Sequence, residues 1–176
     1  MSISSPDRNW WDTPVHKEER LWIILALTWS ILLTLAMPWW HVTGEQNTSQ
    51  AYSKMTAVEF DKATDRFIDK YKVGEEQGTP VVAPPADSDI YLRARQFSWD
   101  PILKLKANSS YKLHLSSGDV NHGFSVFPIN INFEVVPGWD NLLVVTPTKA
   151  GEYTIICNEF CGIGHHTMIG KIYVES

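Results

Sequence analysis

Residues 21–40, LWIILALTWSILLTLAMPWW, run for twenty positions without a charged side chain. At 1.5 Å of rise per residue such a helix spans roughly 30 Å, the hydrocarbon thickness of a bilayer. A chain of 176 residues has too little interior to hide a helix of this length. Trp22 stands at one end and Trp39 and Trp40 at the other, where amphipathic rings favour the headgroup level. Pro38 lies near the far end, where the helix is expected to stop. A cleaved signal peptide would need a shorter apolar core and a pair of small residues before the cut, and MPWWHVTGE offers no such pattern. The segment reads as an uncleaved membrane anchor over residues 21–42. Arg8, Lys17 and Arg20 precede it and Lys54 and Lys62 follow it, a slight bias for residues 1–20 on the cytoplasmic side. The remainder would then lie outside, in the periplasm or its equivalent.

Beyond the anchor the texture changes twice. Residues 43–88 read as a juxtamembrane helix and linker. Thr56 and Glu59 have the spacing of a capping box. Phe60, Ala63, Phe67, Ile68 and Tyr71 then recur at helical period, with Asp61, Asp65, Asp69, Lys62, Arg66 and Lys70 on the other face. This predicts an amphipathic helix to about residue 73, resting on the membrane surface, on a partner subunit or on the domain that follows. Residues 74–88, rich in glycine and proline, read as a linker. Residues 89–176 hold short alternating runs separated by turn residues: IYLRARQFSW, ILKLKA, SYKLHLSS, HGFSVF, INFEVV, NLLVVT, EYTIIC and KIYVE. That pattern predicts an all-β Greek-key sandwich or small barrel.

A net charge of −5 argues against nucleic-acid binding, which asks for a concentrated basic face. No glycine-rich phosphate loop follows a strand, and no Gly-x-Ser-x-Gly is present, so neither nucleotide binding nor serine hydrolysis has support.

The chemistry concentrates in CNEFCGIGHHTM, residues 157–168, which holds both cysteines of the chain. Cys157 and Cys161 are followed by His165 and Met168, and His122 stands upstream in a turn that enters a strand. Gly162 and Gly164 free the backbone to fold tightly. In an oxidising compartment two cysteines would ordinarily suggest a disulfide. Here that loop would be very small, and the histidines and methionine would have no reason to converge. Zinc would accept two thiolates and two imidazoles but has no use for a thioether, and a mononuclear blue-copper site needs one cysteine rather than two. A nucleophilic Cys-His pair would leave the second cysteine unexplained. Two thiolates, two imidazoles, a thioether and a backbone carbonyl suit two copper ions that share bridging sulfurs.

At these residues the chain resembles subunit II of the haem-copper oxidase superfamily, which carries the dinuclear copper centre CuA. The motif Cys-x-Glu-x-Cys-x-x-x-His-x-x-Met, preceded by Asp-Val-x-His, is matched without a gap at 157–168 and 119–122, and the segment 122–138 is similar as well. The resemblance implies a cupredoxin-like fold for most of residues 89–176. It implies that Cys157 and Cys161 bridge the coppers, that His122 and His165 bind one each, that Met168 is a weak ligand and that Glu159 binds through its carbonyl. His166 falls outside the pattern and is expected at the surface. Phe97 and Trp99 resemble the aromatic segment through which electrons arrive, and packing on a strand is the competing account of them.

The single anchor departs from the usual two and resembles the B-type oxidases, whose one helix has its N-terminus inside. The implied role is electron transfer. A soluble donor, cytochrome c or a cupredoxin, would reduce the copper. The electron would then pass to haem in a larger catalytic subunit of a prokaryotic inner membrane, for reduction of O2. A haem-copper nitric oxide reductase that has acquired CuA is the alternative, kept open by the length of the 56–73 segment. A membrane-tethered copper carrier is the remoter one.

Overall fold

A computed structural model of the chain describes residues 5, 9–12, 14–43, 51–129 and 131–176. They fall into two units, Met1–Gln46 and Asn47–Ser176. In the first, a short 3-10 turn at Trp10–Asp12 precedes helix α1, Lys17–Thr43. None of its residues is buried, and it is long and apolar enough to cross a membrane. The helix does not stop near Pro38 but runs on to Thr43. A proline removes one hydrogen bond from a long helix, and the final turn is tied down by the Thr43 hydroxyl, which donates to the Trp39 carbonyl at 2.8 Å.

The second unit begins with β1 (Ala51–Lys54), α2 (Ala57–Tyr71), β2 (Lys72–Glu76) and β3 (Thr79–Val82). It continues through β4 (Asp89–Arg95), β5 (Ser98–Asp100), β6 (Ile102–Lys106), β7 (Tyr111–Ser117) and β8 (His122–Phe127). It ends with β9 (Ile131–Val135), β10 (Trp139–Val145), β11 (Gly151–Cys157) and β12 (Ile169–Glu175). The strands form two sheets, β1-β10-β7-β4-β5 and β2-β3-β6-β12-β11-β8-β9. Parallel pairings of β4 with β7 and of β6 with β12 mark the crossovers of a cupredoxin-like sandwich. Alternation supplies the core: Ile90, Leu92, Leu113, Leu115, Leu143, Val126 and Ile155 point inward and are almost wholly buried.

Each of the eight runs read as strands forms one, except that IYLRARQFSW is two strands. β4 and β5 pair antiparallel with Arg95 opposite Ser98, so the chain reverses at Gln96 and Phe97. The stretch 74–88, expected as linker, contains most of a hairpin. Gln77 and Gly78 have φ of 50° and 82°, the geometry of a two-residue hairpin turn, and β3 joins β6 in parallel. Glycine and proline there shape a turn and a strand edge rather than a flexible spacer.

Helix α2 starts where the capping box predicts. The Glu59 N–H donates to the Thr56 hydroxyl at 3.3 Å, and the Thr56 N–H donates to the Glu59 carboxylate at 3.0 Å. Its apolar stripe rests on the domain itself. Phe60 and Phe67 are buried, and both rings lie 5.8 Å from that of Tyr91 on β4. Next to this apolar contact sits Arg93, 7% exposed. Its guanidinium donates through Nε and Nη2 to the two oxygens of Asp100 at 3.2 and 2.6 Å, joining β4 to β5. Through Nη1 it reaches Asp61 and Asp65 of α2 at 3.2 and 3.0 Å. Burial disfavours the charge, but the carboxylates more than offset this and hold the Arg93 pKa above its ordinary value. Replacing Arg93 with alanine strands three carboxylates around an empty space. We expect a loss of about 3 kcal/mol in urea unfolding of the full chain in detergent.

On the same sheet His114 stacks on Tyr91 with centroids 4.6 Å apart, and its Nδ1 lies 2.7 Å from Asp140. Burial favours the neutral ring, but hydrogen bonds and charge from Asp140 and Asp89 win and raise its pKa. A raised folded-state pKa stabilises the protein fully below the unfolded value, about 6.5, and the contribution is lost as pH rises through the folded value. Stability of the wild type should therefore fall from about pH 6.5 upward, and His114→Gln should flatten that slope in a pH series of unfolding midpoints.

Candidate metal centre

The pairing of β8 with β11 brings the first half of the motif to the second. Cys157 pairs with Phe124, and His122 heads the same strand, so residues 35 apart in sequence meet at the end of the sandwich. His122 Nδ1 lies 3.8 Å from Cys157 Sγ. The β11–β12 connection, residues 158–168, folds over this end and returns Cys161. The two sulfurs are 3.8 Å apart, far beyond a disulfide bond, and both thiols are free and buried. His165 opens a 3-10 turn, His165–Thr167, and its Nδ1 lies 3.7 Å from Cys161 Sγ. Met168 is buried with Sδ 3.7 Å from the same sulfur. The Glu159 carbonyl lies 3.2 Å from Cys157 Sγ, while its side chain is exposed. His166 is exposed, as its place outside the spacing predicts. The ligand atoms of His122, Cys157 and Cys161 lie within 4.8 Å of one another, so a histidine and two cysteines stand ready for a metal.

Both histidines direct Nδ1 at sulfur, and for His122 the reason is visible. Its Nε2 lies 2.8 Å from Asp119 Oδ1, which makes Nε2 the protonated nitrogen and leaves the Nδ1 lone pair facing Cys157. Burial would raise the Asp119 pKa, but the Gln96 N–H, His122 and the Val120 N–H together hold it below the usual carboxylate range. Burial, and then the adjacent Cys157 thiol, push the Cys161 thiol up to about 11, so in the metal-free chain it is protonated at neutral pH.

The aromatic residues occupy different depths. Trp99 is 3% exposed, with its ring 6.2 Å from that of His122 and 5.6 Å from that of Phe124. It backs the site from the protein side and is sealed from solvent. Phe97 is half-buried and its ring packs close to the loop. A Cβ added to Gly164 would fall 2.4 Å from Phe97 Cδ2, and one on Gly162 would fall 3.2 Å from its Cε1. These glycines are needed for space more than for flexibility, although Gly162 also has φ of +133°. Gln96, which the sequence reading passes over, touches this loop too. Nothing in its local pattern marks it, because its partners lie 23 and 65 residues away.

Fold and site together define a cupredoxin-like domain with soft donors gathered at one end, preceded in the chain by a helix long and apolar enough to cross a membrane. A sequence model of the family described as "Cytochrome C oxidase subunit II, periplasmic domain" matches residues 86–176. The cytochrome c oxidase subunit 2 of Thermus thermophilus is 38% identical over 96 residues, covering 54% of this chain and 71% of that protein. A probable cytochrome c oxidase subunit 2 of Streptomyces avermitilis is 36% identical over 140 residues, covering 77% of this chain but 40% of its own length. Among solved structures, a chain of a haem-copper terminal oxidase dimer superposes with a TM-score of 0.57 at 26% identity, covering 90% of this chain and all of its own. The chain belongs to the cytochrome c oxidase subunit II family and is thereby a haem-copper oxidase subunit.

Gly164→Ala must expel Phe97 from the loop. We expect it to lower the unfolding temperature by several degrees and to quicken thiol modification in the metal-free chain, read with a colorimetric disulfide reagent.

Proposed function

We propose that Cys157, Cys161, His122, His165, Met168 and the Glu159 carbonyl hold the dinuclear copper centre CuA, and that the chain is the electron-accepting subunit of a terminal oxidase. The observation that carries this reading is the pair of cysteine sulfurs 3.8 Å apart, one flanked by His122 and a carbonyl, the other by His165 and Met168. Two thiols with two imidazoles, a thioether and a carbonyl around them are donors enough for two metals, and the softness of the sulfurs suits copper. When bound, two coppers sharing thiolates supply a one-electron couple whose charge is spread over both metals.

The chain's own residues hold that set still. Asp119 fixes the His122 ring, β8 and β11 carry His122 and Cys157 on a paired ladder, and the Phe97 ring packs close to the glycines of the loop. A rigid donor set changes little between oxidation states, which keeps the barrier to electron transfer low. No general acid or base is required. Phe97 is the aromatic on the approach side, and Trp99 serves by packing behind His122.

In this reading residues 1–20 lie in the cytoplasm and residues 21–42 anchor the chain in the inner membrane of a prokaryote. Residues 43–88 carry α2 and the connecting segments, and residues 89–176 carry the copper domain on the periplasmic face. The partners are a haem-bearing catalytic subunit, lipid, and a soluble donor such as cytochrome c or a cupredoxin. The nitric oxide reductase alternative rests on the length of the 56–73 segment, whose helix α2 packs on its own sheet.

The test is copper content and electron paramagnetic resonance of the protein purified from its native membrane, with O2 and NO consumption assayed side by side. Two coppers per chain sharing one unpaired electron, lost in Cys157→Ser and in Cys161→Ser, are expected. One copper per chain, or zinc, overturns the reading.

A further inference from the structure

We infer that Gln96 is a positioning residue for the metal loop, acting through the Cys161 peptide; the inference rests on the reading of Cys161 as a ligand. Gln96 stands at the β4–β5 reversal and touches both segments that bear soft donors. Its backbone N–H donates to Asp119 Oδ2 at 2.7 Å, while the other oxygen of that carboxylate is taken by His122 Nε2 at 2.8 Å. Its side-chain amide donates to the Cys161 carbonyl. One residue thus joins the carboxylate that aims His122 to the peptide that carries Cys161.

The arrangement depends on what lies on either side. A Cβ on Gly162 would stand 2.9 Å from Gln96 Nε2, so a side chain there would crowd the amide where it meets the carbonyl. Behind the reversal, Arg93 clamps β4 to β5 through Asp100, and Arg95 pairs with Asp61 of α2 at 2.7 Å. The brace is therefore built on a strand pair that is itself tied down. The Cys161 carbonyl is taken by Gln96, while the Glu159 carbonyl lies 3.2 Å from Cys157 Sγ. This hydrogen bond to Gln96 holds the orientation of the peptide between residues 161 and 162, which adjoins the Cα that carries the Cys161 side chain.

Two substitutions isolate the side-chain donor and leave the backbone N–H to Asp119 intact. Gln96→Met keeps the length without a donor, and Gln96→Glu sets an acceptor against the carbonyl. Ser98→Ala, at an exposed position on the next strand, is the control. In the full-length chain in detergent, metal-free, we expect both Gln96 variants to speed cysteine modification about fivefold to tenfold while the unfolding midpoint stays near wild type. In the copper-loaded chain they should alter the electron paramagnetic resonance spectrum and quicken copper loss to a chelator by a similar factor, with Ser98→Ala matching wild type throughout. Modification rates equal to wild type in both Gln96 variants, or an equal rise in Ser98→Ala, overturn the assignment. The metal-free arm stands whichever metal the site takes, so a failure of the two-copper reading shows in the metal count alone.

Discussion

The antiparallel register between β8 and β11 is the constraint from which the site follows. Setting Phe124 opposite Cys157 puts His122 at the end of the sandwich beside the first cysteine, with Nδ1 3.8 Å from Sγ. A slip of one residue would turn the whole of β8 over, sending Phe124 and Val126 into solvent and His122 away from the sulfur. The same alternation that buries the core therefore aims the imidazole. Asp119, two residues before Asn121 and at the edge of the turn, then selects which ring nitrogen faces the cysteines. Packing and donor geometry are one requirement here, not two.

A second layer of support comes from a less expected quarter. The β4–β5 pair carries Gln96, Phe97 and Trp99, and each meets the centre from a different side: the Cys161 peptide, the glycines of the loop and the His122 ring. That pair is held by a buried arginine whose carboxylate partners come from β5 and from α2. Helix α2 is in this way part of the scaffold behind the site. Burying a guanidinium is costly, and its several carboxylate partners make that tolerable while fixing the helix in one place.

Much of this was legible in residues alone. The long apolar helix follows from its uncharged run, the start of α2 from its capping box, and most strands from period-two alternation, because each depends on neighbours within a few positions. The donor set of residues 157–168 was readable for the same reason: its spacing lies within one loop. The errors fall where local pattern is ambiguous. IYLRARQFSW alternates well enough for a single strand, and only the pairing of Arg95 with Ser98 reveals a reversal. The glycine and proline of residues 74–88 resemble a linker until β3 is seen beside β6.

What the sequence by itself determined is the chemistry on offer: a lipid-length helix, an alternating β-domain, and soft donors too many for one ordinary metal site. What only the tertiary structure decided is which partners each group keeps. That Asp119 divides its two oxygens between His122 and Gln96, that Phe97 needs Gly164 bare, and that α2 packs on its own sheet are all contacts between distant segments. Periodicity and spacing describe a residue's relation to its neighbours along the chain. Contacts across strands are set by register and side-chain volume, and these exist only once the two sheets have closed on a common core.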